Sequence, residues 1–127
     1  MQNKVTYEFA VIRVVPKVER EEFLNVGVIL FSKHRKYLAM KYAINQSRLT
    51  AFSSEVDIDL LKDSLTAWQK VCEGAPKGGR IGQLDRAERF RWLVASRSTI
   101  IQSSKTHPGL CHHPEEVLEE LFALYVL

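Results

Sequence analysis

The strongest constraint on the fold is an N-terminal segment with apolar side chains on both of its faces. Residues 5–15 are rich in β-branched and aromatic residues and predict a strand that Pro16 ends. One face carries Val5, Tyr7, Phe9 and Val11, and the other carries Ala10, Ile12 and Val14. The second half of this strand is therefore expected to be buried on both sides.

Two further strands and a change of period define the rest of the architecture. Residues 23–31 and 37–42 predict strands, and the short polar turn between them favours an antiparallel meander. From residue 58 the apolar residues recur at spacings of three and four, which predicts an amphipathic helix. This stripe consists of Ile58, Leu61, Leu65, Trp68 and Cys72. Asp57 is the expected N-cap, and Gly74 ends the helix.

The C-terminal part adds two predicted helices and one ambiguous segment. A helix is expected over residues 85–95, whereas residues 98–104 fit either a fourth strand or a continuation of that helix. His113 at the N-cap and Pro114 at the first position predict a last helix that packs on the sheet. The expected fold is α+β, a single antiparallel sheet of three to four strands with three helices packed on one side of it. Residues 1–127 are expected to form one domain, with a flexible loop over 74–84.

Composition excludes several classes of protein. Of the 127 residues, 46% are hydrophobic and 26% are charged, which is typical of a globular domain rather than a disordered one. Two cysteines, Cys72 and Cys111, do not make a disulfide scaffold and favour a reducing compartment. No apolar run approaches the roughly 20 residues of a membrane span, and the polar N-terminus argues against a signal peptide. We expect a cytoplasmic protein without membrane contact.

The net charge of +3 conceals four segments of alternating sign. Residues 1–50 and 77–106 carry +5 each, whereas residues 51–76 carry −3 and residues 107–127 carry −4. Pairing between these segments within the fold is the favoured interpretation. The alternative is a surface for anions or nucleic acid, for which arginine is the preferred cation. That surface would consist of Arg80, Arg86, Arg89, Arg91 and Arg97.

Short motifs give little support for a cofactor or a metal. Residues 79–82 fit the four-residue GxxG loop of KH domains, but the order of the flanking elements does not, and no phosphate-binding glycine loop is present. Cys111, His112 and His113 are adjacent, whereas structural zinc sites use spaced pairs. The neighbouring Glu21 and Glu22 predict a solvated turn. No metal site and no cofactor are predicted.

The most unusual segment is the polar run over residues 97–109. If this segment is extended, Ser98, Gln102 and Ser104 share one face, and His107 lies beside a predicted Pro108-Gly109 turn. Such a group fits a phosphate or a peptide carboxylate, and the histidine fits general acid–base chemistry. The alternative is a polar edge strand with a histidine in its turn.

Several of these segments together resemble the bacterial family known as domain of unknown function 3037. The resemblance rests on RVVP at 13–16, REEFLNVGV at 20–28, RFRWL at 89–93, QSSKTHPGL at 102–110, LF at 121–122 and YV at 125–126. It covers the chain from about residue 7 to residue 127. It implies a small protein without an established activity, commonly encoded beside a HipA-like kinase-fold protein. An accessory or partner role follows from that implication.

The family pattern also marks candidate binding residues. It falls on Arg13, Arg20, Glu22, Asn25, Gly27, Arg97, Gln102, Ser104, His107 and Gly109. Asn25 and Gly27 interrupt an apolar strand, and a glycine there indicates a bulge or a close approach of backbones. If the first two strands pair, Arg13, Arg20 and Asn25 are expected at one end of the sheet, with Gln102 and His107.

Three functions remain open at this level. The first is a non-catalytic binding module whose partner is a HipA-like kinase-fold protein. The second is a phosphate-directed enzyme or nucleotide binder, in which His107 is the acid–base and Arg13, Arg20 and Arg97 hold the anion. The third is a nucleic-acid-binding accessory protein that uses the arginines of residues 77–97.

Overall fold

A five-stranded antiparallel sheet forms the centre of the computed structural model, which describes residues 3–97 and 99–127. The strands are β1 (Val5–Val14), β2 (Leu24–Ser32), β3 (Tyr37–Tyr42), β4 (Ile101–Ser103) and β5 (His107–Cys111). Their order is β3-β2-β1-β4, and β5 also pairs with β1. β4 pairs with residues 12–14 of β1 and β5 with residues 5–9, so these two short strands share one edge of the sheet. The predicted meander of the first three strands is confirmed.

Within the described residues, five α-helices and one 3-10 turn complete the fold. The turn is Val18–Arg20, and the helices are α1 (Gln46–Phe52), α2 (Ile58–Glu73), α3 (Gly79–Gly82), α4 (Arg86–Val94) and α5 (Pro114–Tyr125). The carboxylate of Asp57 accepts the Leu60 amide at 3.1 Å, which confirms this residue as the N-cap of α2. His113 is the N-cap residue of α5, as predicted, although its side chain makes no capping hydrogen bond.

The sheet is covered on both faces. Ala10, Ile12 and Val14 face a core that includes residues of α2 and α4, whereas Phe9 and Val11 face a second core with Leu118, Phe122 and Val126. The expectation that the helices lie on one side is therefore wrong, because α5 packs on the opposite face from α2 and α4. The second half of β1 has apolar residues on both faces, and both sets of side chains must be covered to be removed from water.

The structure also resolves or corrects three local predictions. In the ambiguous segment 98–104, Ile101–Ser103 is a strand, and Ser98 lies outside the described residues. The predicted Pro108-Gly109 turn is wrong, because both residues lie within β5. Pro108 is tolerated there because β5 is an edge strand. Among the described residues no further strand lies on its open side, so the missing N–H of a proline that faces this side removes no hydrogen bond of the sheet. Within the predicted loop 74–84, residues 79–82 form the single turn α3.

A β-bulge in β2 decides which side chains share a face at the end of the sheet. Ile12 pairs with Gly27, but Arg13 pairs with Asn25, so Val26 is the extra residue. Val26 joins the core of α2 and α4. Without the bulge, simple alternation from Ile29 would direct Asn25 into that core as well. The bulge instead places Asn25 on the α5 face, beside Arg13.

Candidate functional site

Three polar side chains form a row across three neighbouring strands. Arg13 of β1 is the direct partner of Asn25 in β2 and of Gln102 in β4. Direct partners in antiparallel strands project on the same face, and adjacent strands are about 4.8 Å apart. The row Asn25–Arg13–Gln102, called the polar row below, therefore spans roughly 10 Å on the α5 face. It brings together three of the ten residues that the family pattern marks.

Arg13 packs against an aromatic ring at the centre of the polar row. Its guanidinium carbon lies 3.9 Å from the centroid of the Phe23 ring, in a cation–π arrangement. The Arg13 side chain is partly buried, and this burial lowers the pKa of Arg13 from its ordinary value. Its Nε is buried and has no hydrogen-bond partner among the described residues. Phe23 itself is 44% exposed, so the stacked pair borders solvent.

Asn25 links the polar row to the end of α5. Its Nδ2 donates to the Tyr125 carbonyl at 3.2 Å, and its buried Oδ1 has no partner within the described part of the chain. Nη1 of Arg48 donates to the next carbonyl, that of Val126, at 2.9 Å. The last carbonyls of a helix lack partners within the helix and carry partial negative charge, so an amide and a cation stabilise this end. Neither contact has a local signal in the sequence.

Gln102 and Ser104 hold the edge formed by β4 and β5. Nε2 of Gln102 donates to the Thr99 carbonyl at 2.9 Å. Oγ of the buried Ser104 accepts the Val11 amide at 2.8 Å and donates to the Lys105 carbonyl at 2.9 Å. Ser104 thus provides an acceptor for the Val11 amide of β1 in the gap between the end of β4 and the start of β5. Its role in the described structure is to hold the sheet together.

His107 and Gly109 lie further along the same edge. His107 is the partner of Phe9, and the two ring centroids are 5.2 Å apart. Phe9 and Arg13 are four residues apart on β1, which separates His107 from the polar row by roughly 13 Å along the strand. A Cβ added at Gly109 would overlap the Tyr7 ring, so any larger residue there requires that ring to move.

Arg20 and Glu22 form an ion pair with each other. Nη2 of Arg20 lies 2.5 Å from the Glu22 carboxylate, and both side chains are exposed. They border a cavity of about 460 Å³ beside the end of α1, together with a second ion pair between Lys17 and Glu55 at 3.4 Å. The positive charges of this cavity are thus balanced by carboxylates.

Arg97 lies on the other side of the sheet. It donates to the carbonyls of Leu93 and Trp92 at the end of α4. Its guanidinium carbon is 5.4 Å from the Trp68 ring, which belongs to the core of α2 and α4. Burial lowers the pKa of Arg97. The structure does not bring Arg97 to the polar row.

Two other arginines of residues 77–97 also make internal contacts. Arg89 donates to the Leu84 carbonyl at 2.7 Å, and Arg91 lies 2.5 Å from the Glu8 carboxylate. Arg80 and Arg86 are exposed. Together with Arg97, three of the five arginines of the predicted anion surface thus have partners within the chain, and that of Arg91 is an exposed ion pair. Lys41 of the first basic segment pairs with Glu119 of the last acidic segment, which agrees with charge pairing inside the fold.

Neither a metal cluster nor a membrane helix is found in the described ranges. Among residues 3–97 and 99–127, no three His, Cys, Asp or Glu side chains are grouped to hold a metal ion. Over the same ranges, no helix is both long and apolar enough to cross a membrane. Cys111 is buried, and burial raises the pKa of its thiol.

Comparison with known proteins gives one match. A family model described as "Protein of unknown function (DUF3037)" matches residues 9–126. No curated protein and no solved structure gives a significant match. The matched range includes the whole polar row and β5.

Proposed function

The chain belongs to the DUF3037 family, and from this premise we propose that it is a binding module that docks on another protein. The observation that carries the proposal is the polar row together with two exposed aromatic residues that contact it, Phe23 through its ring and Tyr125 through its main-chain carbonyl. Phe23 lies under Arg13, and Tyr125 lies at the helix end that Asn25 holds. Arginine and aromatic residues grouped at a surface are typical of the residues that dominate the energy of protein interfaces.

The exposure of this region supports a docking face. Phe23 is 44% exposed and Tyr125 is 39% exposed. Phe23 contacts Arg13, and the Tyr125 carbonyl accepts from Asn25, whereas the Tyr125 ring packs against Phe9 with 5.9 Å between the ring centroids. A grouped apolar surface rimmed by polar side chains marks an interaction site more often than scattered exposed residues do.

The same geometry favours binding over the proposed phosphate chemistry. That chemistry needs His107 within hydrogen-bond reach of a group that Arg13, Arg20 and Arg97 hold in common. Arg97 is on the opposite side of the sheet, and Arg20 is paired with Glu22. The family resemblance supplies the expected partner, a HipA-like kinase-fold protein encoded beside the gene.

A binding measurement with that neighbouring protein tests the proposal. The double variant Phe23→Ser/Tyr125→Ser removes both exposed rings and is expected to weaken the complex at least about tenfold. Leu60→Ser is the matched control, because Leu60 is 52% exposed but lies on α2. It should leave the affinity unchanged. The absence of a complex with the wild-type chain would refute the expected partner. Equal weakening by Leu60→Ser would refute the docking face.

A further inference from the structure

Arg13 differs from the other partly buried arginines. Arg89 and Arg97 each donate to two main-chain carbonyls. For the Arg13 side chain, no hydrogen bond and no carboxylate within 4.0 Å is found in the part of the chain that the structure describes. A cation that loses water without gaining a partner is costly, and the lowered pKa of Arg13 reflects this loss of water. An anionic group at this position would offset the cost.

The surroundings fix the guanidinium rather than neutralise it. The Phe23 ring 3.9 Å away supports one face of the guanidinium plane. This contact limits the orientations of Arg13 before any ligand binds, which lowers the entropic cost of binding. The direct neighbours Asn25 and Gln102 carry neutral amides, so no charge of opposite sign is supplied from within the polar row.

We propose that Arg13 binds a carboxylate side chain in an acidic segment of the partner protein. This inference rests on the proposed docking function and gives the chemistry of the contact. The planar fork of a guanidinium matches the two oxygens of a carboxylate. Gln102 lies beside the fork, and the amide hydrogen that its bond to the Thr99 carbonyl leaves over suits the main chain next to an aspartate or glutamate.

A polypeptide carboxylate fits this site better than a nucleic acid does. Binding to a nucleic-acid backbone draws on several cations spaced along the strand. The polar row has one arginine, Arg89 and Arg97 donate to main-chain carbonyls, and Arg91 is paired with the Glu8 carboxylate. An acidic segment needs only one such anchor, and the exposed Phe23 ring beside it fits an apolar neighbour of the carboxylate.

The experiment uses NMR on the full ¹⁵N-labelled chain and follows the Nε–H signal of Arg13. The probe is the capped peptide acetyl-LELEL-amide, and acetyl-LQLQL-amide is its uncharged match. We expect a saturable shift of the Arg13 signal with the glutamate peptide and at least about tenfold weaker binding of the glutamine peptide. Equal affinity for the two peptides, or the absence of a saturable shift with both, would overturn the proposal.

Variants separate the carboxylate contact from general charge and from misfolding. Arg13→Gln should abolish the preference for glutamate, and Arg13→Lys should retain only part of it because lysine lacks the fork. Arg80→Gln removes an exposed charge on α3 and should change nothing. The thermal midpoint of each variant checks that it is folded. Stronger shifts with a short single-stranded oligonucleotide than with the glutamate peptide would contradict the choice of a polypeptide.

The outcomes also distinguish this inference from the proposed function. If Phe23→Ser/Tyr125→Ser weakens the complex with the neighbouring protein but Arg13→Gln does not, the docking face stands and the carboxylate contact is refuted. If the glutamate peptide binds as expected while the neighbouring protein does not bind, the contact stands and the expected partner is refuted.

Discussion

Replacing Ser104 with alanine tests whether one side chain holds the broken edge of the sheet. Ser104 is 6% exposed, and its Oγ accepts the buried Val11 amide at 2.8 Å. Alanine would leave that amide without an acceptor, at a cost of about 1–3 kcal/mol. The hydroxyl also donates to the Lys105 carbonyl, which loses this bond as well. We expect the free energy of unfolding to fall by about 2 kcal/mol.

The expected change in thermal midpoint follows from the length of the chain. An unfolding entropy of roughly 2.1 cal/mol/K per residue gives about 0.27 kcal/mol/K for 127 residues. A loss of about 2 kcal/mol then lowers the midpoint by about 7 °C. Circular dichroism during heating measures this shift, and urea unfolding measures the free energy.

A neighbouring serine provides the control for Ser104→Ala. Oγ of Ser103 donates to the adjacent Ser104 carbonyl, and no buried main-chain amide depends on it. Ser103→Ala should therefore cost less than about 1 kcal/mol. If the free energy of unfolding of Ser104→Ala lies within about 0.5 kcal/mol of the wild-type value, the Val11 amide has another acceptor and our account of the edge is refuted.

Three further predictions concern close packing and a buried thiol. Gly27→Ala places a Cβ 2.8 Å from the Lys41 carbonyl oxygen, so urea unfolding should show that the free energy of unfolding falls by about 1–3 kcal/mol. An unchanged free energy of unfolding would refute the tight approach at the bulge. Gly109→Ala should displace the Tyr7 ring, which the NMR signals of that ring would report; unchanged signals would contradict the overlap. Burial raises the pKa of Cys72 from 9.0 to about 12. Because the unfolded thiol ionises first, the Cys72 contribution is intact below pH 9 and is lost as the pH rises from 9 to about 12, so Cys72→Ala should weaken the pH dependence of unfolding in that range.

Elements with a strong local period were predictable. The stripe from Ile58 to Cys72 lies in α2, and the alternation of β1 divides between the two cores. The N-caps Asp57 and Asp85 mark helix starts because their side chains bond to amides three residues ahead. These signals involve residues that are close in sequence, so the chain carries them without its tertiary structure.

Other elements depend on contacts that a local pattern does not contain. α1 was not predicted, because it is only seven residues long and has one buried residue, Leu49. β5 contains Pro108 and Gly109, which locally favour a turn, yet pairing with β1 makes this segment a strand. Strand formation here depends on a partner about a hundred residues away in the chain.

The candidate site shows the same division. The sequence alone determined which residue types were available, and the glycine at position 27 correctly indicated a bulge or a close approach. Only the tertiary structure decided that the bulge turns Asn25 toward Arg13 and that Arg97 lies on the other side of the sheet. The reason is physical: a side chain's type is local, whereas its face and its partners depend on strand register and on which helix covers that face.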